Sequence, residues 1–87
     1  MSMIKAKVYV TLKKGVLDPQ GKAVLNSLLS LGYEGVKEVR VGKLIELALE
    51  ESDLGQAAVM VEDMCRKLLA NTIIEEFRFE LGEDGQA

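Results

Sequence analysis

The chain has no histidine and no tryptophan, and it holds one cysteine and one proline among its 87 residues. Each shortage excludes something. Without histidine there is no imidazole base near neutral pH, and one thiol alone cannot assemble a transition-metal site. Cys65 can form no internal disulfide, which fits a reducing compartment. Cations are the minority, 11 Lys and Arg against 14 Asp and Glu, for a net charge of −3. That is the wrong sign for a nucleic-acid partner, whose phosphates call for a basic surface. No apolar run approaches the ~18 residues that a membrane span requires. The opening Met1-Ser2-Met3-Ile4-Lys5 has no apolar signal core. A cytoplasmic protein with neither nucleic acid nor membrane as partner is expected.

What is present describes a small globular domain. Hydrophobic residues make up 48% and charged ones 29%, enough for a core and for solubility. The length allows one domain, expected over residues 1–82 with a polar tail at 83–87. A chain this short buries roughly 60–65% of its unfolded surface. Small domains often gain stability from a disulfide, a metal or a partner, and here the partner is the route left open.

From Met3 to Lys13 the pattern alternates. Ile4, Ala6, Val8, Val10 and Leu12 share one face, with Lys5, Lys7, Tyr9, Thr11 and Lys13 on the other, which predicts a half-buried strand. Asp18 is a good N-cap, and Pro19 suits the first helical position because its missing N–H would be unpaired there anyway. Val24, Leu25, Leu28, Leu29 and Leu31 then recur at helical spacing until Gly32, a left-handed stop. Val36–Glu51 reads as two strands joined tightly at Gly42. Ser52 or Asp53 caps a second helix with an apolar stripe of Leu54, Ala57, Ala58, Val61, Met64, Cys65, Leu68 and Leu69, and Asn71 is its expected αL stop. Phe77, Phe79 and Leu81 alternate with Glu76, Arg78 and Glu80 in a last strand. The order strand, helix, strand, strand, helix, strand predicts an α+β, ferredoxin-like βαββαβ sandwich. It would have a mostly antiparallel four-stranded sheet, both helices on one face, and right-handed strand–helix–strand crossovers.

No catalytic constellation emerges. There is no activated serine and no Gly-rich phosphate loop. Cys65 falls on an apolar stripe, as an inert core thiol would. The carboxylates Glu50, Glu51, Glu75 and Glu76 read as a solvated rim. Two segments exceed what folding demands. Gly21 stands in the first turn of the helix that Asp18-Pro19-Gln20 opens, where it costs about 1 kcal/mol against alanine. Either local packing or a partner's close approach accounts for it. Arg40 and Lys43 bracket Gly42 on the exposed side of the expected hairpin, where neither is needed for folding. They are either solvated cations or contacts to a partner carboxylate or a phosphate. Tyr9 stands on the sheet face that helices would leave open, a residue type favoured at interfaces.

The runs Lys7-Val8-Tyr9-Val10-Thr11-Leu12-Lys13 and Val16-Leu17-Asp18-Pro19-Gln20-Gly21 closely resemble the opening of PurS subunits. Ser30-Leu31-Gly32-Tyr33, Val39-Arg40-Val41-Gly42-Lys43 and Cys65-Arg66-Lys67-Leu68-Leu69-Ala70-Asn71 continue the resemblance, which runs from about Lys5 to Leu81. Thr72 departs from it, since PurS proteins often have proline after that asparagine. The resemblance implies a non-catalytic small subunit of phosphoribosylformylglycinamidine synthase, joined to a synthetase subunit (PurL) and a glutaminase subunit (PurQ). The complex converts formylglycinamide ribonucleotide, ATP and glutamine into formylglycinamidine ribonucleotide in purine biosynthesis. It implies a homodimer or homotetramer with no cofactor on this chain, ATP and Mg²⁺ belonging to the synthetase subunit. Tyr9, Asp18, Pro19, Gln20, Gly21, Arg40, Gly42 and Lys43 are the candidate partner-interface residues. Two rivals share the strand–helix order. An ACT-like regulatory domain would bind an amino acid near Gly15, and an acylphosphatase-like enzyme would need an arginine in a phosphate-cradling loop that residues 13–21 lack.

Overall fold

The computed structural model describes residues 3–83. Its elements in chain order are β1 (Met3–Leu12), α1 (Pro19–Ser30), β2 (Lys43–Glu50), α2 (Leu54–Met64), one π-helical turn (Cys65–Leu69) and β3 (Glu75–Glu83). The sheet is three-stranded, in the order β2-β1-β3, and both pairings are antiparallel. The α+β class holds, but the four-stranded ferredoxin-like sandwich does not.

The alternation in β1 settles the layers. Ile4, Ala6, Val8 and Val10 are almost fully buried, and they meet Ala57, Val61 and Cys65 of the α2 region, with Leu49 and Ala70 completing the core. Burying four such strand residues against one helix is the main apolar term holding the body together. Lys5, Lys7, Tyr9 and Thr11 face the other way, onto a sheet surface without a helix.

The expected hairpin is absent because its first half finds other partners. Residues 36–42 form no ladder. The Val41 amide donates to Asp18 Oδ2 at 2.8 Å, so this stretch follows the start of α1 rather than the sheet edge. Gly42 makes no turn and has no positive φ. It passes so close to β1 that a Cβ there would sit 2.6 Å from the Val10 carbonyl oxygen. β2 therefore starts at Lys43, opposite Val10, and the first strand–helix–strand unit joins antiparallel neighbours and contains no parallel crossover.

A second departure concerns the helices. Only α2 packs on the sheet, over β1 and β3; α1 makes no substantial contact with any strand. β1 ends and β2 begins at the same end of the sheet, so α1 and its flanks project from that end as an arm. Gly21 is the only buried residue of α1, while Val24, Leu29 and Leu31 are exposed. The radius of gyration, 16.5 Å, exceeds the about 12 Å of a compact chain of this length.

Helix ends follow local chemistry. Asp18 caps α1 and Asp53 caps α2 through their carboxylates. Past Leu31, Gly32 (φ +101°) and Tyr33 donate back to the Leu29 and Leu28 carbonyls, the paired bonds of a Schellman stop. At the end of α2 the Ala70 amide reaches the Cys65 carbonyl five residues back, closing a π turn. The wider turn shifts the phase of the stripe, so Leu68 is 82% exposed instead of buried. Asn71 takes no αL conformation; its side-chain and backbone oxygens accept from the Ile73, Ile74 and Glu75 amides and turn the chain into β3. Glu83 pairs with Ile4 and so belongs to β3 rather than to a tail. The rest of the expected tail, residues 84–87, lies outside the described residues.

Candidate interaction surface

The candidate residues fall into two places. Asp18, Pro19, Gln20, Gly42 and Lys43 line one shallow cleft where the arm leaves the sheet. Asp18 is the node. It is 7% exposed, and its Oδ1 accepts from the Gly21 amide while Oδ2 accepts from Val41, each at 2.8 Å. These two bonds, from Val41 and then Gly21, hold its carboxyl below the usual carboxylate range, and the Arg40 guanidinium adds to the effect. Gly21 has a local reason: a Cβ there would run into the Val39 carbonyl oxygen. Of the two accounts open in the sequence, packing is the one seen in the protomer.

Arg40 is exposed but committed. Its guanidinium donates to the carbonyl oxygens of Leu12 (3.4 Å), Lys13 (3.1 Å) and Val16 (3.3 Å), tying residues 36–42 to the loop that follows β1. Sequence reading assigned it no such contacts; in the structure it bonds within its own chain rather than standing free in solvent. Lys43 lies 4.0 Å from Glu75, an exposed and weak pairing across the end of the sheet.

Tyr9 lies apart, on the open sheet face. Its hydroxyl donates to Glu80 Oε1 at 3.1 Å, and the Arg78 guanidinium lies 4.0 Å from the centre of its ring. A rigid aromatic with a stacked arginine is an arrangement that protein interfaces favour. Sequence reading found Tyr9 but not Arg78 or Glu80; their places opposite and diagonal to Tyr9 in the β1–β3 register carry the signal. The Asp18–Val41 bond had no local signal, since 23 residues separate its partners.

Charge is divided unevenly. From Lys13 to Lys43 stand six cations (Lys13, Lys14, Lys22, Lys37, Arg40, Lys43) and three acids (Asp18, Glu34, Glu38), so the arm is +3 in a chain of −3. The body is correspondingly −6. Among the described residues there is no cluster of candidate metal ligands, and no helix is long and apolar enough to cross a membrane. Cys65 is fully buried, and burial pushes its thiol pKa up, with Glu62 adding to the rise. The surface offers polar contacts and an uneven distribution of charge.

Comparison with known proteins agrees. The model of the family described as PurS: Phosphoribosylformylglycinamidine (FGAM) synthase matches residues 5–83. The phosphoribosylformylglycinamidine synthase subunit PurS of Bacillus subtilis is 54% identical over 81 residues, which is 93% of this chain and 95% of that one. The solved structure of B. subtilis PurS superposes with a TM-score of 0.80 at 53% identity, covering 91% of this chain and 98% of that chain. A chain in the structure of PurLQS from Thermotoga maritima matches with a TM-score of 0.86 at 29% identity, over 94% of this chain and all of that chain.

Proposed function

The chain belongs to the PurS family and is a PurS subunit of phosphoribosylformylglycinamidine synthase in purine biosynthesis, and from that premise we propose that it works as a non-catalytic connector. It joins a PurL-type synthetase subunit to a PurQ-type glutaminase subunit in the cytoplasm and supports the passage of ammonia from one to the other. Glutamine hydrolysis and ATP-dependent amidation belong to the larger subunits, and this chain carries no cofactor of its own. The observation that carries the reading is a PurS match over nearly the whole chain, joined to a surface of interface residues with no activated nucleophile. The T. maritima structure of PurLQS supports the choice of partners.

We further propose that the chain is a homodimer or homotetramer. The arm supports this: Val24 and Leu29 of α1 and Leu31 just past its end are exposed at 42%, 42% and 73%, apolar surface that a second copy could cover.

Reconstitution tests the connector role. The purified chain alone should neither hydrolyse glutamine nor turn over ATP. Added to the two larger subunits, it should be required for glutamine-dependent amidation of formylglycinamide ribonucleotide, while ammonia-dependent amidation by the synthetase subunit proceeds without it. Glutaminase activity that survives repurification of this chain, or full glutamine-dependent activity in its absence, would overturn the reading. Light scattering at micromolar concentration tests oligomerisation, and a 9.5 kDa monomer would refute it.

A further inference from the structure

We propose that the cleft of the arm, between α1 and the returning stretch at residues 37–40, receives an acidic and apolar segment of one of the two larger subunits. The proposal rests on the connector reading above and assigns one of its attachment surfaces. The cleft holds about 430 Å³ and brings three apolar residues, Leu17, Leu25 and Val39, together with three cations, Lys22, Lys37 and Arg40. The core contains no residue from 11–42, so folding of the body gives no reason for Leu17 to stand 73% exposed. Lys22 and Lys37 are exposed, and neither forms an ion pair among the described residues. Of the two acids on the cleft, Asp18 has both carboxylate oxygens engaged by amides, which leaves Glu38 to oppose three cations. Apolar and charged side chains gathered in one cleft suit a protein segment.

Charge selects the occupant. The arm is +3 and the body −6. A twofold contact between arms would set one +3 surface against another, so the arm does not suit its own counterpart in a second copy. A nucleic-acid strand would be drawn to the arm and repelled by the body. A protein segment with carboxylates set among apolar side chains matches both kinds of residue that line the cleft. The arm projects from one end of the sheet, and a connector must hold two different partners. Ends of opposite charge keep each partner from the other's seat, because the wrong pairing opposes like charges. The arm then takes the subunit whose contact surface is acidic, and the body is left to the other.

The test is reconstitution with both larger subunits, reading the concentration of this chain that half-saturates glutamine-dependent amidation. Lys22→Glu with Lys37→Glu should raise that concentration about tenfold. The far-ultraviolet spectrum, the light-scattering mass and the rate at saturation should stay as in wild type. Leu17→Ser should raise the half-saturating concentration as well, whereas Lys22→Arg with Lys37→Arg should leave it in place. A photo-crosslinker attached through maleimide at Leu17→Cys, where the buried Cys65 does not compete, should join an acid-rich peptide of one larger subunit. If wild type is required but the Glu variant and Leu17→Ser half-saturate as it does, the cleft assignment falls and the connector reading stands. A crosslink to a second copy or to no chain, or a raised concentration that accompanies a changed light-scattering mass, has the same consequence. If glutamine-dependent amidation proceeds without the chain, both fall.

Discussion

Two hydrogen bonds tie Asp18 to the first turn of α1 and to the returning stretch at Val41, and several consequences can be measured there. Its carboxyl is lowered in the fold, so the stability it supplies is fully present above the unfolded value of about 3.9. That stability is lost as pH falls through the depressed native value. The melting temperatures of wild type and Asp18→Asn should therefore differ at pH 7 and converge in strong acid. Gly21→Ala is expected to destabilise by about 1–3 kcal/mol, because the new methyl meets the Val39 carbonyl. Alanine's better helix propensity, worth about 1 kcal/mol, does not rescue it; chemical denaturation would show the sign. Arg40→Ala removes the donor to three carbonyls and should lower Tm by several degrees, roughly 1 kcal/mol. Cys65 should resist a thiol reagent until denaturant is added, since the buried thiol holds its proton.

At the scale of elements, the sequence was legible where the signal was local. The caps at Asp18 and Asp53, the stop at Gly32 and the alternation of β1 and β3 all depend on neighbours within a turn or a strand. The hairpin failed because Val36–Val41 has strand-like alternation, while the acceptor that takes its Val41 amide, Asp18, lies far back in the chain. The π turn failed for a related reason: one surplus backbone residue leaves no mark in the apolar spacing up to Cys65, yet it turns Leu68 outward. The two helical positions should then answer differently to truncation. Val61→Ala, in the core, should cost about 2 kcal/mol, whereas Leu68→Ala should stay within about 0.5 kcal/mol. Of the candidate surface, the open-face position of Tyr9 and the capping role of Asp18 were legible from residue type and spacing; the bonds of Arg40 required the tertiary arrangement, and the stack of Arg78 on Tyr9 required the register.

At the scale of the molecule, extents of 51 × 29 × 14 Å describe a thin, elongated chain. A single layer of sheet with one helix across it has little core to spare, so association should contribute measurably to stability. The melting temperature should rise with protein concentration across the micromolar range, as mass action requires when the folded form associates and the unfolded form does not. A Tm independent of concentration would show that the protomer stands alone.

The connection between β1 and β2 carries one more consequence. Val10 and Lys43 are cross-strand neighbours, a spacing that a two-residue reverse turn could close, and the core contains no residue from 11–42. The arm is thus a graft in the tip of what is otherwise a simple β-hairpin. Replacing residues 11–42 with Asn-Gly should leave a miniature that keeps its sheet and its α2 contacts. Such a miniature would be strongly acidic, having shed the positive portion of the chain. The basic arm and the acidic body are in this way separable pieces, and one can be rebuilt without refolding the other.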